Sequence, residues 1–132
     1  MRSNSETAAE TDRRQRAVAA DGARLDGLRM RPVQTSAGSV ISGETLFEFS
    51  QDDQVVSARY AGGEIVLGTL VGIVDGPSLV FRYAQVDRGL NVHGGHSQCE
   101  IGLSPAGRLQ LAEHFTWDSA AGGGINILET VD

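Results

Sequence analysis

The chain has 132 residues, 40% of them hydrophobic, and a formal net charge of −6 at pH 7, which is the size and composition of one folded domain. Its acidic balance argues against nucleic acid or an anionic membrane surface as a partner. All 11 basic residues are arginine, so Schiff-base catalysis and a phosphate-binding lysine are excluded.

Residues 1–26 differ from the rest of the chain in composition. They are rich in Ala, Glu, Asp and Arg and have few sizeable apolar side chains, Val18 and Leu25 among them. Such a segment buries too little apolar area to offset the entropy of ordering it. We therefore predict a disordered or partly helical tail over residues 1–26 and a folded domain over residues 27–132. The tail lacks the apolar core of a signal peptide, and the single cysteine excludes an internal disulfide, so a cytoplasmic protein is expected.

The remaining chain consists of short alternating apolar and polar runs separated by turn signals. Residues 28–33 are a candidate first strand, and seven further strand runs follow from Gly43 to Asp132. These runs are ETLFEFS, QVVSARYA, EIVLGTLVGIV, SLVFRYAQV, GHSQCEIGLS, GRLQLAEHFTW and GINILETVD. The links contain Gly, Pro, Asp or Ser and are too short for a helix, so the strands must be antiparallel. Closing the sheet removes its two edges. The predicted fold is all-β, a small antiparallel up-and-down barrel of seven or eight strands, similar to calycin and lipocalin barrels.

From about Leu28 onwards the chain resembles a family of small bacterial proteins often labelled N-acetylglutamate synthase. The resemblance is carried by GETLFEF, IVLGTLVGIVDG, LVFRYAQV, PAGRLQLAEHFTW and the closing ILE, in this order and spacing. It implies a small antiparallel barrel. The chain has no strand–loop–helix unit that would bind the pyrophosphate of acetyl-CoA, so acetyl transfer is only a third alternative for its function.

Alternation along each strand predicts which side chains point into the barrel. The predicted interior is aromatic with a few polar groups, which is how small-molecule sites are usually lined. On the strand from residue 64 both faces are apolar, so we expect its outer face, Ile65 to Ile73, to be covered, for example by a dimer interface. The candidate ligand-binding residues are Phe47, Phe49, Tyr60, Phe81, Tyr83, Gln85, Trp117 and Glu129.

Glu113 is the candidate catalytic residue, because it interrupts an otherwise apolar face. Burial disfavours an ionised carboxylate, so its pKa should rise and it could serve as a general acid or base. The structural alternative is a Glu that pairs with Arg or Tyr. A carboxylate pair with Glu129 is a further hypothesis, since the two strands are neighbours in sequence.

Other chemistry-bearing residues favour structural interpretations. His93 and His96 are predicted to lie in a glycine-rich loop, which could gate one mouth of the barrel, and His114 to point outward, so no metal site is predicted. Cys99 is predicted to be a free thiol in the core, since a reactive thiolate needs a basic partner.

The leading functional hypothesis is binding of a small, largely apolar metabolite inside the barrel. If the protein is an enzyme, a cofactor-independent isomerisation, cyclisation or dehydration in secondary metabolism is expected, with Glu113 as acid or base. The alternative is a non-catalytic interaction or oligomer-forming domain, such as a homodimer. A cavity around Glu113 would favour the first hypothesis, and a filled core would favour the second.

Overall fold

The computed structural model describes residues 24–131, which form a closed barrel of eight antiparallel strands. Each strand pairs with the next along the chain, and β1 pairs with β8 to close the sheet. The strands are β1 (Arg29–Gln34), β2 (Leu46–Asp52), β3 (Val55–Gly62), β4 (Ile65–Asp75), β5 (Ser78–Asp87), β6 (Val92–Leu103), β7 (Leu109–Trp117) and β8 (Gly123–Thr130). The predicted fold class is therefore confirmed, with the higher of the two strand numbers.

Tight turns join every pair of strands from β2 to β8, at the positions where the turn signals lie. Each of these six turns contains a residue with positive φ, which matches the right-handed twist of the flanking strands. These residues are Asp53, Gly63, Gly76, Leu90, Gly107 and Gly122. Leu90 is the unexpected member, because its φ of 63° is costly for a branched side chain. Its turn is stabilised by Asp87, whose carboxylate accepts hydrogen bonds from the backbone and side chain of Asn91.

The core lies inside the barrel and is formed by alternate residues of every strand. Leu79 and Leu111 are fully buried at its centre, and Met30 of β1 belongs to the same cluster. Leu25, which falls in the predicted tail, is also fully buried and packs in this core. Leu25 therefore belongs to the barrel, while residues 1–23 of the predicted tail lie outside the described residues.

The face predicted for β4 needs a correction at its start. The register shifts between Ile65 and Leu67 where β4 meets β5, and this bulge turns Ile65 inward and leaves Val66 exposed. From Gly68 to Val74 the predicted inner face is correct. The outer face is apolar as predicted but is not covered within the described chain, since Leu67, Val71 and Ile73 are all exposed.

His93 and His96 also lie elsewhere than predicted. β6 begins at Val92, so His93 and His96 are strand residues and not loop residues. The glycines between them pack against a neighbouring strand, because a Cβ on Gly95 would lie 2.3 Å from the Tyr83 hydroxyl and 2.2 Å from the carbonyl oxygen of Thr116. The prediction was wrong because it took these glycines as loop residues, whereas Gly95 makes room for the ring of Tyr83.

Within residues 24–131 there is no helix of the length and apolarity that a membrane crossing requires.

Candidate functional site

One end of the barrel interior contains a small cavity with aromatic walls. Its volume is about 20 Å³, enough for roughly one water molecule. Most of the predicted ligand-binding side chains line it, together with Glu113. The lining residues are Ser39, Val40, Ile41, Phe47, Tyr60, Leu70, Phe81, Tyr83, Gln85, Glu113, Phe115, Trp117 and Asn126.

The aromatic side chains of the cavity form two groups. Phe47 of β2 stacks on Tyr60 of β3, with ring centroids 4.3 Å apart. In the second group, Trp117 packs edge-on against Phe115 at 5.4 Å and against Tyr83 at 5.8 Å. Such pairs fix ring orientations beyond what burial alone does. The cavity therefore has stiff walls on two sides.

Glu113 lies deep in the barrel and is 7% exposed. The Ser97 hydroxyl donates a hydrogen bond to its Oε2 at 2.6 Å, and Nδ2 of Asn126 donates to its Oε1 at 3.2 Å. Burial raises the pKa of this carboxyl, and the two hydrogen bonds offset only part of that effect. Both oxygens are engaged by the barrel wall, so the carboxyl joins three neighbouring strands, β6, β7 and β8.

A second polar pair lies on β3 and β5. The Tyr60 hydroxyl donates a hydrogen bond to Oε1 of Gln85 at 2.8 Å. Burial, and secondarily the charge of Glu113, raises the pKa of Tyr60 far above its usual value, so the hydroxyl keeps its proton and acts as the donor. Gln85 is 3% exposed. Among the residues that the structure describes, nothing accepts a hydrogen bond from its Nε2.

The connection between β1 and β2 closes this end of the barrel. We call residues 36–41 the cap segment. The backbone N–H of Ile125 donates a hydrogen bond to the Ser36 hydroxyl at 3.0 Å, and the Ser39 hydroxyl donates to Oδ1 of Asn126. Val40 and Ile41 pack against the core. Asn126 therefore bonds to both the cap segment and Glu113.

Two of the predicted site residues, Phe49 and Glu129, require separate comment. Phe49 is buried as predicted but lies in the core beside Phe47, and it does not line the cavity. Glu129 was predicted to point inward, which is wrong: its carboxylate accepts a hydrogen bond from Gln110 on the outer face. Glu113 and Glu129 therefore do not form a pair. Asn126 of β8, and not Glu129, lies directly opposite Glu113 of β7.

Sequence reasoning missed three polar residues of the site, Asn126, Ser97 and Ser39. Placing Glu129 on the inner face of β8 puts Asn126 on the outer face, because the two residues are three positions apart and alternate sides. One signal was available, since an antiparallel partner opposite a buried Glu should offer a donor, and Asn126 is the side-chain amide of β8.

The other titratable candidates lie outside the cavity. His93 contacts Asp87 at 3.4 Å and packs its ring against Trp117 at the rim, and His114 points outward as predicted. Cys99 is buried, and burial raises the pKa of its thiol well above the usual value, which agrees with a structural core thiol. No group of three or more His, Cys, Asp or Glu within the described chain is arranged to hold a metal ion.

These features define a closed antiparallel barrel with a polar and aromatic site at one end of its interior, the architecture of small-ligand-binding barrels. Comparison with family models agrees: the model described as Avidin-like protein matches residues 23–131. The chain belongs to the avidin-like protein family. Barrels of this family typically bind small ligands and often form oligomers. Neither the curated proteins nor the solved structures contain a match.

Proposed function

We propose that this protein binds a small, largely apolar metabolite in the barrel interior, between the two aromatic groups and beneath the cap segment. The observation that carries the proposal is the cavity itself, which combines aromatic walls with buried polar side chains. One of these polar side chains, Gln85, has a buried amide nitrogen without an acceptor among the described residues, which is rare in folded proteins. The family's general ability to bind small ligands supports the same conclusion.

The size of the cavity requires the cap segment to move when a ligand enters. About 20 Å³ holds no metabolite larger than a water molecule. The cap segment is the element that can open, because its Val40 and Ile41 are only half-buried and side-chain hydroxyls hold it in place. Binding therefore exchanges the contacts of Val40 and Ile41 with the aromatic walls for contacts with the ligand.

The binding proposal predicts that toluene enters the barrel and that a larger side chain in the cavity excludes it. In wild type, toluene should shift the indole resonance of Trp117, which is the single tryptophan. Leu70→Phe fills the cavity from β4 and should weaken toluene binding at least about tenfold, the effect of roughly 1.4 kcal/mol. The measurement is an NMR titration of both proteins.

Thr69→Phe is the matched control, because Thr69 is the neighbouring residue on β4 and points outward. It should leave toluene binding unchanged. The proposal fails if toluene leaves Trp117 unperturbed up to its solubility limit, or if both Phe variants bind it like wild type.

An acid–base reaction at Glu113, in an isomerase or cyclase of secondary metabolism, is the finer hypothesis. Its support is the raised pKa of a carboxyl that lines the cavity. Against it, Ser97 and Asn126 each hold one carboxyl oxygen of Glu113, so both oxygens already have a structural role in joining β6, β7 and β8. We therefore propose binding, and not catalysis, as the primary function.

Homodimer formation is a second candidate, and it rests on the outer surface of β3, β4 and β5. We call Val55, Val71, Ile73 and Val80 the outer apolar face. Ile73 lies directly between Val55 and Val80 in the paired strands, and all four side chains are exposed. A contiguous apolar surface of this kind is typical of protein interfaces.

The dimer proposal predicts that Ile73→Arg produces a monomer at concentrations where wild type is a dimer. A charge at the centre of the interface should weaken association at least about 30-fold, as for a contact worth about 2 kcal/mol. Analytical ultracentrifugation measures this. Val92→Arg is the control, because Val92 is equally apolar and exposed but lies outside the outer apolar face. A monomeric wild type, or equal effects of the two variants, would contradict the proposal.

A further inference from the structure

The amide of Gln85 is the least explained group in the barrel. It is buried in the cavity wall, its Oε1 accepts the Tyr60 hydroxyl, and its Nε2 has no acceptor within the described part of the chain. Buried donors without partners are rare in folded proteins, because burial removes water without replacing its hydrogen bonds. This donor therefore needs an acceptor that the described residues do not supply, and a ligand atom that enters the cavity can supply it.

Tyr60 determines which end of the amide is available to a ligand. A neutral phenol must donate its proton, and Oε1 of Gln85 is the acceptor that the structure provides at 2.8 Å. Turning the amide over would place two donors against each other and leave the Tyr60 proton without this acceptor. The stack of Tyr60 on Phe47 holds the phenol in place. Nε2 is thus held as the free donor.

The surroundings limit the charge of the group that Nε2 can bind. None of the described residues that line the cavity is Lys, Arg or His. An anionic ligand would lie in a low-dielectric site with no compensating cation and would share it with the Glu113 carboxyl. A neutral acceptor carries no such penalty.

We infer that the cavity contains a carbonyl-binding subsite, in which Nε2 of Gln85 donates a hydrogen bond to the oxygen of a neutral ketone, ester, lactone or amide. The aromatic walls around it hold the apolar remainder of the same molecule. This inference rests on the proposed binding function and names the chemical class of its ligand.

The test compares two probes of similar shape, acetophenone and ethylbenzene, which differ in the carbonyl oxygen. The measured quantity is the ratio of their dissociation constants, obtained by NMR titration. In Gln85→Met the donor is lost, and the ratio should move about fivefold to tenfold towards ethylbenzene, as expected for one hydrogen bond. Using the ratio cancels the difference in hydrophobicity between the probes. Acetophenone should also shift the Gln85 side-chain amide resonances in wild type.

Two further variants keep the result interpretable. The double variant Tyr60→Phe/Gln85→Met removes both partners of the buried hydrogen bond, so neither partner is left unpaired. It replaces Gln85→Met in the comparison where the single variant folds poorly, and it should change the ratio of dissociation constants by the same factor. Gln98→Met is the matched control, because Gln98 lies on the outer face of β6, and its ratio should equal that of wild type. Benzoate should bind more weakly than acetophenone, since it is an anion.

The outcomes separate this inference from the proposed function. If both probes shift Trp117 but the ratio is the same in wild type and in the Gln85 variants, the carbonyl subsite is overturned and binding stands. Tighter binding of benzoate than of acetophenone would overturn the neutral class of ligand. If neither probe shifts Trp117, both the subsite and the binding function fail.

Discussion

Glu113→Gln is expected to gain stability relative to wild type as the pH rises above 4.5, the ordinary pKa of the side chain. Burial raises the pKa of Glu113 in the folded state, so above pH 4.5 the unfolded chain has lost a proton that the folded chain retains. The slope of stability with pH follows the protons bound by the unfolded state minus those bound by the folded state, which here is negative. Wild type should therefore lose up to about 1.4 kcal/mol per pH unit relative to the variant, until the folded-state pKa is passed.

Urea unfolding of both proteins over a series of pH values measures this difference. Gln fits the site because its carbonyl oxygen can accept from Asn126 while its amide donates to the Ser97 hydroxyl. Glu64→Gln is the matched control, because Glu64 lies exposed at the turn between β3 and β4, and it should follow the wild-type curve. Parallel curves for wild type and Glu113→Gln would show that the carboxyl is not desolvated in the folded protein.

Gly68→Ala is expected to destabilise the barrel by at least about 2 kcal/mol and to disrupt the ligand site at the same time. A Cβ on Gly68 would lie 2.2 Å from the ring of Tyr60, which real contacts do not permit. The ring must move, and its stack on Phe47 and its hydrogen bond to Gln85 are lost. Overpacking and the broken buried hydrogen bond each cost about 1–3 kcal/mol.

Gly102→Ala is the matched control for this prediction. Gly102 also lies in a strand, but an added Cβ there meets nothing within 4 Å. Alanine should then be neutral or should stabilise by about 0.5 kcal/mol, because it restricts the unfolded chain. Thermal unfolding of the two variants gives the comparison. Equal stabilities would mean that Tyr60 has room to shift, and the stiff wall assigned to the cavity would be wrong.

Most of the inward-facing residues could be predicted from the alternation of side chains along each strand. Phe47 and Phe49 on β2, Tyr60 on β3, Phe81 and Gln85 on β5, and Glu113 on β7 all point inward as predicted. These strands alternate cleanly and have no bulge between their interior positions, so one correct residue fixes the others. Glu113 was recognisable because a carboxyl on an apolar face has no simple surface interpretation.

The prediction from alternation failed where the inward-facing residues of a strand are not its most apolar ones. On β8, Ile125 lies exposed and Asn126 lies buried, because the interior at that level needs a hydrogen-bond donor for Glu113 rather than another apolar group. On β4, the bulge at Ile65 shifts the alternation by one residue. Neither feature has a local sequence signature, since each depends on the neighbouring strand.

The resemblance to proteins labelled N-acetylglutamate synthase stays a prediction, as does the cytoplasmic location. The resemblance implied a small antiparallel barrel, which is the fold observed. Family membership supports ligand binding in general terms, and the particular ligand class depends on the Gln85 amide.

The sequence by itself determined the all-β class, the order of the strands and most of the aromatic interior, because turn chemistry and period-two alternation are local properties of the chain. Only the tertiary structure decided which polar groups meet. Ser97, Glu113 and Asn126 converge because the registers of β6, β7 and β8 bring them together, and Tyr60 fixes the Gln85 amide from β3, across β4. Strand register and bulges are set by packing across the whole barrel, so the hydrogen bonds of the site could not be read from any one strand.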